Sequence, residues 1–103
     1  MAYDNGNLEA TISAAAGDNA ALQGELATAF LDSIARQLDL LKRSRCDANW
    51  NMAALRLRAI AASFHAEQLV ALADETLASA PGEPTVLRKM DAVLASFANM
   101  EAR

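Results

Sequence analysis

Ala20-Ala21-Leu22-Gln23-Gly24-Glu25-Leu26-Ala27-Thr28-Ala29-Phe30-Leu31-Asp32-Ser33-Ile34-Ala35-Arg36-Gln37-Leu38-Asp39-Leu40-Leu41-Lys42-Arg43 carries the pattern from which the helical architecture follows. Within it Leu22, Leu26, Phe30, Ile34, Leu38 and Leu41 recur every three or four residues, the spacing of one helix face. A strand alternates every second residue and cannot hold that pattern over such a length. A helix is predicted over about residues 19–43. Asp18 and Glu25 lie early in it while Lys42, Arg43 and Arg45 lie late, which complements the helix macrodipole, and Gly24 is its weak point.

The composition extends the helical reading to the rest of the chain. Of 103 residues, 25 are alanine, whereas Val, Ile and Thr together supply 10, so helix formers outweigh β-branched residues. Turn chemistry is confined to Asp4-Asn5-Gly6-Asn7, Gly17-Asp18-Asn19, Cys46-Asp47-Ala48-Asn49 and Pro81-Gly82-Glu83-Pro84. The first helix is expected from about Leu8 to Ala16, with Asn7 as its N-cap, Leu8, Ile12 and Ala15 on one face, and Gly17 as its stop. A third helix starts near Asn49 and carries Trp50, Ala53 or Ala54, Leu57, Ile60 or Ala61, and Phe64 inward. After a break at Ser63 to His65, a fourth runs from about Ala66 to Ala80 with Leu69, Ala73, Thr76 and Leu77 inward. The last begins at Pro84, a residue favoured at the first helical position, and buries Val86 or Leu87, Met90, Val93 or Leu94, Phe97 and Met100. The expected fold is all-α: an antiparallel four-helix bundle with a short extra N-terminal helix, forming one domain over residues 1–103.

The same arithmetic excludes several function classes. One Cys and one His leave no disulfide framework and no Cys/His zinc site, and no metal or other cofactor is expected. Nine basic residues against 13 acidic ones argue against a nucleic-acid partner. Met1 to Leu8 has no basic n-region and leads into no h-region, and no apolar run approaches the roughly 18 residues of a membrane span. A cytoplasmic, monomeric protein is the expectation, and the single Cys46 between Arg45 and Asp47 fits a reducing compartment.

One residue breaks the pattern of the third helix. At about 100° per residue, Leu55 falls about 160° from Leu57, so it faces away from the buried side, with Arg58, Ala59 and Ala62 around it. An isolated surface leucine is common, and a docking surface is the sharper alternative. Charge placement bears on the choice, because six of the nine basic residues, Arg36, Lys42, Arg43, Arg45, Arg56 and Arg58, fall between positions 36 and 58. Compensation of a helix C-terminus explains Lys42, Arg43 and Arg45 but not Arg56 and Arg58 in mid-helix.

The stretch Ala53-Ala54-Leu55-Arg56-Leu57-Arg58-Ala59-Ile60-Ala61-Ala62-Ser63-Phe64-His65-Ala66-Glu67-Gln68-Leu69 resembles the signature of histidine phosphotransfer (Hpt) domains. In that family a helix carries A-H-x-L-K-G, then small residues, an aromatic and G-A-x-x-L. Gly17-Asp18 leading to Glu25-Leu26, Phe30-Leu31 and Gln37-Leu38 is similar to the family's preceding helix, and Leu69 to Glu75 to its following one. The likeness covers about residues 17–80. The resemblance implies an Hpt-like bundle that works in two-component phosphorelays, with response-regulator receiver domains or a sensor kinase as partners.

The departures fall on the reactive positions. Leu55 stands where the family has its phosphorylated histidine, Arg58 where it has lysine, Ala59 where it has the glycine of K-G, and His65 where it has a turn glycine. An Hpt histidine attacks an aspartyl phosphate through an imidazole nitrogen, and leucine has no lone pair with which to do so. Arg58 preserves a cation one turn along, and Ala59 adds only a methyl group. The expected protein is therefore no enzyme but a non-catalytic modulator that docks receiver domains through Leu55, Arg56, Arg58, Ala59 and Ala62. Phosphotransfer through His65 is an alternative. That residue lies ten positions on, about 15 Å along a continuous helix, and histidine is also enriched at positive φ, where it substitutes for a turn glycine. An unrelated helical adaptor or oligomerisation module is the other alternative. Remaining chemistry is thin: Asp74 and Glu75 point to different sides of their helix, Ser44, Ser63 and Ser79 have no triad partners, Cys46 is a lone loop thiol, and Met52, Met90 and Met100 read as packing or unremarkable.

Overall fold

Short polar and glycine-containing segments punctuate the chain, and between them alanine and leucine keep it helical. The computed structural model describes residues 6–102, with side chains for residues 7–99. Five helices follow in order: α1 (Gly6–Ala16), α2 (Ala20–Arg43), α3 (Asp47–Ser63), α4 (Glu67–Leu77) and α5 (Pro84–Ala102). No strand occurs among the described residues. The expected turn at Asp4-Asn5 and the inward position of the Met100 side chain lie outside what is described.

The boundaries have local causes. Gly17 takes φ 63°, which closes α1, and the Asn19 side chain then accepts the Leu22 amide N–H at 3.0 Å to cap α2. α1 begins at Gly6, so Asn7 is a helical residue and not the expected cap; its carbonyl accepts the Thr11 hydroxyl at 2.8 Å. The segment Asp47-Ala48-Asn49, expected as turn, is the first turn of α3, where Asp47 favours the positive end of the helix dipole. α4 is shorter than expected at both ends, with Ala78 as its C-cap.

α3 ends at the expected place. His65 takes φ 57°, the one non-glycine residue with positive φ among those described. The Ala66 amide donates to the Ala61 carbonyl at 2.8 Å and the His65 amide to the Ala62 carbonyl at 3.1 Å, the paired bonds of a Schellman closure.

Packing runs α2 against α3, α3 against α4, α4 against α5 and α5 back onto α2, a closed ring, with α1 laid on α2. The Cα radius of gyration is 13.6 Å, close to the roughly 13 Å of a compact chain of about 100 residues. Phe30 of α2 sits where the ring closes, 4.8 Å from the Phe64 ring and 5.4 Å from the Phe97 ring, centroid to centroid. Leu41, Leu57, Leu69, Met90 and Val93 complete the centre, each side chain contributing about 1.5–3 kcal/mol through burial.

Two expected core positions differ. Leu22 is 36% exposed. Each four-residue step advances about 40° around the helix, so the stripe precesses and Leu22 ends about 120° from Ile34, while Ala27 enters the core instead. In α1 Ala16 is buried and Ala15 exposed, which helix periodicity from Leu8 and Ile12 does not by itself explain.

Candidate functional site

The rotation of α3 about its own axis decides what it shows to solvent, and Trp50 sets that rotation. Its ring is fully buried and its Nε1–H donates to the Thr76 carbonyl of α4 at 2.8 Å. Thr76, itself buried, donates its hydroxyl to the Leu72 carbonyl at 2.7 Å. Ala53, Ala54, Leu57 and Ala61 fill the same side, and the alanines let the neighbouring helices approach closely.

With the inner side so anchored, Leu55 points outward and is 55% exposed in the middle of α3. Arg56, Arg58, Ala59 and Ala62 are exposed as well, so the five expected docking residues share the solvent side of one helix. Their surroundings are not equivalent. The Arg58 Nε donates to Asp74 Oδ1 of α4 at 2.7 Å, which accounts for a mid-helix cation within the chain itself. Arg56 makes no such bond. Lys42 pairs with Asp91 of α5 at 2.9 Å and Arg43 with Asp39 one turn back at 2.8 Å, so much of the basic cluster is matched internally.

Sequence reasoning missed two members of this surface. Met52 is 53% exposed and Leu40, on α2, 38%. Met52 lies one turn before Leu55, and both line a shallow depression with Ala48, Asn51, Arg56 and Ala59. A second depression continues from Met52 and Arg56 across to Leu40, Arg43, Ser44 and Asn49. The signal was available in the spacing of Ala48, Met52, Leu55, Ala59 and Ala62, which alternates four and three residues opposite the core stripe. Reading Met52 as unremarkable concealed it.

His65 is exposed and lies at the closure after α3, beyond the end of the helix that carries Leu55. Its backbone conformation accounts for the residue as a turn former. Among the described residues no three His, Cys, Asp or Glu side chains come together as a metal site, and no helix is long and apolar enough to cross a membrane. No family model, no curated protein and no solved structure matches this chain.

Proposed function

We propose that this chain is an Hpt-like phosphorelay protein that docks response-regulator receiver domains, or the sensor kinase that feeds them, through the outer face of α3 without carrying phosphate. It acts as a monomer in the cytoplasm, as a competitor or sequestering partner and not as an enzyme. The ring of contacts α2–α3–α4–α5 is what an antiparallel four-helix bundle requires and supports that arrangement. The observation that carries the reading is Leu55, the residue at the family's nucleophile position, standing 55% exposed in mid-helix. A leucine there would press against the rim of a receiver's acidic pocket, with Arg56 supplying complementary charge.

The test is titration of the purified chain against receiver domains encoded in its source genome, phosphorylated and unphosphorylated, followed by incubation with labelled phospho-receiver. Binding that Leu55→Glu removes, with no label on the chain, is the expected result. Leu55→His combined with Ala59→Gly is expected to acquire label. Stable label on the unaltered chain that disappears in His65→Ala would overturn the reading.

A further inference from the structure

The outer stripe of α3, Ala48, Met52, Leu55, Ala59 and Ala62, has the alternating four- and three-residue spacing of a helix that packs on another helix. All five residues are exposed, and Leu40 widens the apolar surface toward α2. Its flanks show what kind of surface fits. On one side stand Asn49, Arg56 and Ser63, on the other Asn51 and Arg58. Arg58 already holds Asp74, which leaves Arg56 as the cation on this rim without a carboxylate.

A second copy of the chain fits this rim poorly. Two-fold packing of α3 on its copy sets antiparallel flanks against their own kind, Arg56 beside Arg56, and parallel packing sets Arg56 beside Asn51. The acid nearest the stripe on α3, Asp47, lies nine residues before Arg56, about 13 Å along the axis, and on the opposite flank. Neither arrangement brings the two together.

We infer that the outer face of α3 takes a helical ridge of a different protein, apolar along its centre and edged with carboxylates, with Met52 and Leu55 as the apolar anchors and Arg56 as the charge that selects it. This deepens the docking reading and rests on it for the existence of a partner, but it assigns the surface as tilted toward α2 and Arg56, away from Arg58.

Calorimetric titration with two synthetic amphipathic helical peptides tests it: one with a leucine stripe edged by glutamates, the other identical but edged by lysines. The glutamate peptide is expected to bind about tenfold more tightly at low salt, with the difference shrinking as salt rises. Met52→Glu and Leu55→Glu are each expected to weaken it by about tenfold, and Arg88→Glu, an exposed arginine on α5, to leave it unchanged. Arg56→Glu is expected to invert the preference between the peptides, an outcome that loss of folding cannot mimic. Equal affinity for both peptides, binding of neither, or a dimer in sedimentation equilibrium that Leu55→Glu dissociates would overturn the inference. Receiver domains that bind indifferently to Arg56→Glu would sink it while leaving the docking reading intact. Arg56-dependent binding of the glutamate peptide, with no receiver bound, would sink the receiver reading alone.

Discussion

The inner face of α3 presents Trp50, Ala53, Ala54, Leu57 and Ala61, and its outer face Ala48, Met52, Leu55, Ala59 and Ala62. Both are alanine-rich, each carries two large apolar side chains, and hydropathy scarcely separates them. What separates them is the indole. Trp50 is the one side chain on either face with both a large apolar body and a donor that an adjacent helix can accept, and the Thr76 carbonyl accepts it. A helix with two apolar faces is turned by the face that packs and hydrogen-bonds more completely, and the other is left for solvent or a partner.

Removing that anchor should have the largest effect. Trp50→Ala should cost about 3–5 kcal/mol, mainly from lost burial and the cavity left behind, since the Thr76 carbonyl keeps the Ser79 amide as a donor, measured as a shift in the urea midpoint. A matched pair of enlargements distinguishes the two faces directly. Ala54→Leu, inside, should destabilise by about 1–3 kcal/mol through overpacking, whereas Ala59→Leu, outside, should stay within about 0.5 kcal/mol in the same denaturation experiment. Equal costs for the two would mean that the faces have been assigned wrongly. At the end of the helix, His65→Gly should stabilise by about 0.5–1 kcal/mol by relieving a left-handed conformation, seen as a higher melting temperature. The smallest effect concerns the rim: a double-mutant cycle on Arg58 and Asp74 should return a coupling of about 0.2–1 kcal/mol, as for exposed ion pairs, screened by salt.

Much of the architecture was legible in the sequence because periodicity and turn chemistry act locally. The run from Leu26 to Leu41, the start at Pro84 and the outward position of Leu55 follow from counting around a helix. The positive φ of His65 was also open to a local argument. What escaped has two causes. Leu22 was misplaced because a stripe of successive fours drifts around the helix, and a list of spacings conceals an angle that accumulates. The Arg58–Asp74 pair escaped because its partners are sixteen residues apart on different helices, and no periodicity within α3 contains α4. The candidate surface was therefore half legible: its apolar stripe through Met52 and Leu55 was open to counting, while its extension to Leu40 and the pairing that sets Arg58 apart from Arg56 depended on how the helices pack.

The position of Trp50 also has a spectroscopic use. It is the sole tryptophan of the chain, sealed from water on the side of α3 away from Leu55. Its emission should be blue-shifted in the folded protein, move to the red on unfolding, and stay unchanged when a partner covers the outer face. One fluorescence signal would then report the integrity of the fold independently of occupancy of the docking surface, so that loss of binding in a surface variant can be separated from loss of structure in a single cuvette.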